Sequence, residues 1–192
     1  MIQYNGITLG RLLDEDALFL QSIIKMTTPK TLVEFGFLHG DSARNMLQAM
    51  DTEAHLHSFD NTTNGKDLGS NFTFHKLSQT DFNKTDIKDV DFVFIDASHD
   101  LELNKETFKQ LIPVLTNKAI IAVHDTGTWC DGNVFEFELG EMKKDGTYAH
   151  CPDEIDFVNW LRKEYPEWQQ IHFHSSRKIR HGITLLQKYT KL

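Results

Sequence analysis

A glycine-bearing turn, and a series of acids and imidazoles that close apolar runs, are the residues of this chain suited to chemistry. The turn is Glu34-Phe35-Gly36-Phe37-Leu38-His39-Gly40-Asp41. Its glycines let backbone N–H groups approach a ligand closely between a strand and a helix. The spacing Glu-x-Gly-x-x-x-Gly departs from the Gly-x-Gly-x-x-Gly of dinucleotide binders and lacks the glycine that admits a pyrophosphate, so a nicotinamide dinucleotide is disfavoured. Asp60 follows about two dozen residues later, where a doubly wound fold sets a carboxylate against ribose hydroxyls. Ser78-Gln79 follows the next strand and would border the base of such a nucleoside. Two more apolar runs end in Asp96-Ala97-Ser98-His99 and in His124-Asp125. His99 could be a metal ligand or a general base, because imidazole titrates near neutrality.

Alternating strands and helices must position these groups. Leu13, Ala17, Leu20 and Ile24 recur at helical spacing, so a leading helix within residues 1–30 is expected against the sheet edge, closed by Pro29. Strands are expected at Thr31 to Phe35, His55 to Asp60, Asn71 to Leu77, Asp91 to Asp96 and Lys118 to Val123. A helix from Ser42, capped by Asp41 or Ser42, would carry Ala43, Met46, Leu47 and Met50 on one face; another spans Leu101 to Leu115, disturbed by Pro113. Residues 126–152 keep no period and read as a lid or substrate loop. A last helix starts at Pro152-Asp153-Glu154, and two final strands, Gln169 to His174 and Gly182 to Gln187, form a hairpin around the basic stretch Arg177 to His181. The pattern is α/β: one Rossmann-like, doubly wound, mostly parallel sheet over residues 1–192, with a C-terminal antiparallel hairpin strand.

Composition narrows the partners. A formal net charge of -8 argues against an electrostatic hold on nucleic acid or on an anionic membrane, and 40% hydrophobic residues allow a full core. Two cysteines, Cys130 and Cys151, make neither a CxxC pair nor a disulfide framework. With no signal-like or membrane-spanning run, a cytoplasmic protein with a small-molecule partner is expected, self-association being left open.

The ordered set Val33 to Ser42, Ser58 to Asp60, Asp91 to His99 and Ile120 to Thr126 resembles the class I S-adenosylmethionine-dependent methyltransferases, in the small O-methyltransferase-like branch related to antibiotic sugar O-methyltransferases. The resemblance implies S-adenosylmethionine as cofactor. Glu34, Gly36 and Gly40 would line its methionine and ribose part, Asp60 would hold the ribose hydroxyls, and Ser78 with Gln79 would flank the adenine. In metal-using members an acid ending the fourth strand and an acidic pair ending the fifth hold a divalent ion beside the methyl donor. The matching positions are Asp96, His124 and Asp125, so Asp96 serves both cofactor and metal. His124 replaces an acid, which moves preference from magnesium toward manganese, iron or zinc.

Transfer of a methyl group to a hydroxyl, with Asp96 and His99 as catalytic residues, is the leading reading. The alternatives are a non-catalytic binding protein on the same fold, or a metal-dependent hydrolase or oxygenase built on Asp96, His99, His124 and Asp125.

Overall fold

The computed structural model describes residues 3–4, 7–8, 14–126, 152–174 and 182–188. The chain opens with a two-stranded hairpin, β1 (Gln3–Tyr4) and β2 (Ile7–Thr8), and continues into helix α1 (Asp14–Thr27). Then follow β3 (Thr31–Phe35), α2 (Asp41–Ala49), β4 (His55–Phe59), β5 (Phe72–His75), β6 (Val90–Ile95), α3 (Leu101–Leu111), β7 (Leu115–His124), α4 (Pro152–Glu164), β8 (Trp168–His174) and β9 (Gly182–Lys188). The last seven strands form one sheet in the order β5-β4-β3-β6-β7-β9-β8. Neighbours from β5 through β7 run parallel, and β9 pairs antiparallel with both β7 and β8. The chain winds outward from β3 to β5 and then crosses back to β6. The crevice between the carboxyl ends of β3 and β6 is therefore a topological switch point, where open α/β sheets bind ligands.

Strand alternation divides the core into two layers. Leu32, Leu56, Phe92, Phe94, Ile120 and Ala122 face α1 and α2, packing with Leu20, Ile24, Ala43 and Met46. Val33, Phe35, Val93, Ile95, Ile121 and Val123 face α3 and α4, packing with Phe108, Leu111, Phe157, Val158 and Leu161. Every residue of β6 is buried, as a central parallel strand requires.

Several local expectations are corrected. Helix α1 lies over the sheet face rather than at its edge: Leu20 and Ile24 join the core layer containing Phe92 and Phe94, and a buried hydrogen bond from Gln21 Nε2 to Asn45 Oδ1 (2.7 Å) ties it to α2. The N-cap of α2 is Gly40, in the left-handed region at φ 76°, with no side-chain cap; a Cβ there would run into the Phe37 ring. Helix α3 stops at Leu111, and Pro113 tightens the chain into a 3₁₀ turn, Ile112–Val114, leaving Ile112 exposed. β7 consequently begins at Leu115. The segment after Ser78 is a 3₁₀ helix, Gln79–Lys84, and no helix covers the link between β4 and β5. The loop expected at 126–152, apart from its ends, and the Arg177 to His181 stretch lie outside the described residues. No described helix is long and apolar enough to cross a membrane.

Candidate active site

A cavity of about 470 Å³ opens at the switch point. Its wall is built from the Gly36–Ser42 turn, the end of β4 (Phe59 to Thr62), Leu77-Ser78-Gln79, the end of β6 (Asp96 to His99) and the end of β7 (His124, Asp125). That volume suits a nucleoside-sized ligand. The backbone around it is unusual: Leu38 (φ 44°), His99 (φ 49°) and Asp125 (φ 58°) are non-glycine residues in the left-handed region. Strain of this kind persists where the surroundings over-determine it, as binding sites do.

Of the expected cofactor set, Gly36, Asp60, Ser78, Gln79 and Asp96 are in the wall, whereas Glu34 and Gly40 lie just behind it. Glu34 faces α2 because it alternates in phase with Leu32, and it is fully buried. Its Oε1 accepts from Ser42 Oγ (2.5 Å) and its Oε2 accepts from Ser58 Oγ, so it joins β3, β4 and the start of α2. Burial raises its pKa from 4.5 to about 7; the serine hydroxyls pull the other way, and the nearby Asp96 and Asp60 charges add to the rise.

Asp60 secures the loop as well as facing the cavity. Its Oδ2 accepts from the backbone N–H of Phe37 (3.2 Å) and Leu38 (2.9 Å). Its Oδ1 accepts from Thr62 N (2.8 Å), Thr62 Oγ1 (2.7 Å) and Thr63 N (3.0 Å). Burial pushes its pKa up, but the bonds from Leu38, Thr62 and Thr63 outweigh that and bring it from 3.8 down to about 2. A depressed carboxylate stabilises the fold above its unfolded value and loses that contribution as pH falls through its folded one. The expected result is that parent stability, relative to Asp60→Asn, declines as pH falls from 3.8 toward about 2. Denaturant unfolding of both proteins over that interval measures it.

Gln79 is buried at the cavity's edge and donates through Nε2 to Asn104 Oδ1 (2.9 Å) and Thr107 Oγ1 (3.0 Å) on α3. The Thr107 hydroxyl spends its proton on Leu103 O, so it can only accept from Gln79. Gln79 Oε1 is thereby left as a buried acceptor without a hydrogen-bond partner among the described residues.

Asp96, His124 and Asp125 come together, with one ligand atom from each within 4.8 Å of the others. His124 is also met from behind by Asp16 of α1. The His124 Nε2 lies 3.0 Å from Asp16 Oδ2, and its Nδ1 lies 3.2 Å from Asp96 Oδ1 and 3.4 Å from Asp125 Oδ1. Burial alone would lower its pKa, but the Asp96 and Asp125 charges and the Asp16 hydrogen bond raise it well above 6.5. His99 sits opposite, its Nδ1 2.6 Å from Glu154 Oε1 of α4 and its Nε2 3.7 Å from Asp125 Oδ2. Asp100 caps α3 by accepting from Leu103 N (2.9 Å).

Asp16 and Glu154 are the site residues that sequence reading missed. Both carried a signal: each is an acid in phase with its helix's apolar stripe, Asp16 with Leu20 and Ile24, Glu154 with Phe157, Val158 and Leu161. A charge on that stripe must find a partner inside.

Residues 33–126 match the family model described as a methyltransferase domain. Among solved structures, the O-methyltransferase from Bacillus cereus in complex with S-adenosylhomocysteine superposes with a TM-score of 0.67 at 16% identity, over 94% of this chain and 84% of that one. The S-adenosylhomocysteine-bound Podospora anserina methyltransferase PaMTH1 gives 0.67 at 16% identity, over 94% and 83%. TomG from Streptomyces achromogenes, an O-methyltransferase of tomaymycin synthesis in complex with S-adenosylmethionine, gives 0.65 at 12% identity, over 95% and 82%. No curated protein matches the sequence. At such identities the superpositions speak for the fold alone. Residues 33–126 are thus similar to a methyltransferase domain, on a fold shared with solved O-methyltransferases.

Proposed function

We propose that this protein methylates a hydroxyl group of a small molecule. The observation that carries the reading is the chemistry of the cavity wall. Asp41, Asp60, Asp96 and Asp125 all line it, an arrangement that repels a pyrophosphate and suits a ligand bearing a sulfonium and an ammonium. When bound, S-adenosylmethionine supplies an electrophilic methyl group. The turn at Gly36 would take its methionine and ribose part by close backbone approach. Asp60 would face the ribose hydroxyls, and the unpartnered Gln79 Oε1 offers an acceptor for the adenine amino group.

His99 is the residue best placed to take the acceptor's proton, since it lines the cavity and Glu154 grips its Nδ1 from the opposite side. That grip presents the Nε2 edge toward Asp125. General-base assistance of this kind contributes about 10²- to 10⁴-fold.

Asp96, His124 and Asp125 are the residues that would hold a divalent ion: the His124 Nε2 is hydrogen-bonded to Asp16, as the outer nitrogen of a ligating imidazole is to a carboxylate, and its Nδ1 faces Asp96 and Asp125 at 3.2 and 3.4 Å. Such an ion would assist loss of the acceptor's proton.

Calorimetric titration of EDTA-treated protein with S-adenosylmethionine, with and without magnesium or manganese, is the test. Micromolar binding is expected, and a dependence on the metal would indicate an ion at Asp96, His124 and Asp125 in the complex. Asp60→Ala should weaken it about tenfold or more by removing the loop's anchor and the ribose contact. Asp125→Ala should leave cofactor affinity near the parent's while transfer to an acceptor is lost. Absence of cofactor binding by the parent would overturn the proposal, as would parental affinity in Asp60→Ala.

A further inference from the structure

Outside the cavity, three imidazoles share one face of the sheet at its β4–β5 edge. His55 and His57 alternate along β4, and His75 projects from β5 on the same side, the side of Phe59. The His55 and His57 ring centroids are 4.6 Å apart and those of His57 and His75 5.3 Å apart; His75 in turn stacks on Phe59 at 4.4 Å. The His57 Nδ1 lies 3.1 Å from His75 Nε2, and the His55 Nε2 lies 2.8 Å from Thr73 Oγ1. All three residues are half-buried, and none lines the cavity.

We propose that His57 and His75, with His55 as a third ligand, form a binding site for a borderline divalent transition ion such as zinc, separate from the methyl-transfer cavity. The first argument is distance. Two nitrogens on one ion at about 2.05 Å stand about 2.9 Å apart at a right angle and about 3.3 Å apart at the tetrahedral angle. The observed 3.1 Å between His57 and His75 falls between these values, so a rotation of the rings that points both lone pairs at one centre closes a chelate. His55, in ring contact with His57, would join them by giving up its Thr73 hydrogen bond and moving toward the pair.

The second argument is access. The β5–β6 link covers this face with only the short 3₁₀ helix Gln79–Lys84, and the three imidazoles stay half-buried. An all-imidazole set selects zinc, copper or nickel over magnesium or calcium.

Zinc chloride titrated into metal-stripped, untagged protein tests the site. One equivalent is expected to bind in the micromolar range. His57→Asn and His75→Asn should each weaken it about tenfold or more, and His55→Asn about threefold. Asp125→Asn should leave the zinc affinity unchanged, which separates this site from the Asp96/His124/Asp125 group. Histidine ring NMR on the parent protein gives a readout that needs no variant: the resonances of His55, His57 and His75 should respond to the first equivalent. No binding at about 1 mM zinc, parental affinity in the His57→Asn/His75→Asn double variant, or a first-equivalent response confined to other histidines would each overturn the proposal. Cofactor binding is measured separately, so failure here leaves the methyltransferase reading standing.

Discussion

Gly36→Ala is expected to abolish cofactor binding and to lower the melting temperature by about 10 °C. Gly36 holds φ 100°, a conformation that an L side chain rarely adopts, and its N–H donates to Phe59 O (2.9 Å) as β3 ends. A Cβ at this position would overlap the carbonyl of Asp96. That carbonyl belongs to the end of β6, whose Asp96 N–H donates to Phe35 O (2.9 Å), so it cannot withdraw without parting the two strands at the switch point. Backbone strain of about 1–3 kcal/mol adds to the clash. Gly69→Ala separates the two contributions. Gly69 has φ 123°, but the nearest atom to its Cβ would be Asn71 Oδ1 at 3.7 Å, so only the strain applies and the loss should be about 1–3 kcal/mol. Thermal unfolding and calorimetric cofactor titration of the two variants decide the matter. Equal melting temperatures would show that close packing against β6 is not what the glycine provides.

Glu34→Gln is expected to gain about 3 kcal/mol of stability relative to the parent between pH 4.5 and pH 8. The folded protein holds this carboxyl at about 7 against an ordinary 4.5. Below pH 4.5 the group is neutral in folded and unfolded chains alike, and its effect on stability does not change with pH. As pH rises toward 7 the unfolded chain ionises while the folded one keeps its proton, so the parent loses stability; above 7 the loss is complete. Glutamine has the shape of the protonated acid and does not titrate. The difference in unfolding free energy between variant and parent, measured by urea titration from pH 4.5 to pH 8, should therefore climb and then level off. A difference that stays flat would mean that the Ser42 and Ser58 hydroxyls hold Glu34 ionised at its ordinary pKa. In the parent the same proton sits one layer below the cavity, so loss of stability and loosening of the Gly36–Ser42 turn should coincide above neutrality.

Much of this architecture was legible in the amino-acid sequence because it rests on local periodicity. The near-continuous apolar run of β6 reads as a central strand, and the spacing of Ala43, Met46 and Met50 places the buried face of α2. Boundaries were less legible where two local preferences compete. Pro113 splits one apolar period into α3 and a 3₁₀ turn, and Gly40, not Asp41 or Ser42, takes the N-cap because the Phe37 ring leaves no room for a side chain.

The sequence by itself determined which residues end the strands and hence which groups ring the cavity: Gly36, Asp60, Ser78, Gln79, Asp96, His99, His124 and Asp125 all lie there. That follows from chain order, since in a parallel sheet every carboxyl end falls on the same edge. Only the tertiary structure decided what those groups are bonded to. Asp16 is 108 residues from His124 and Glu154 is 55 from His99, yet each is in hydrogen-bond contact with its partner's ring. Glu34 turns from the cavity to the serines of two other elements, and Asp60 anchors the very loop it faces. Protonation, charge balance and the fit of a metal all depend on such through-space partners, whose electrostatic influence falls off over a few ångströms and takes no account of separation along the chain.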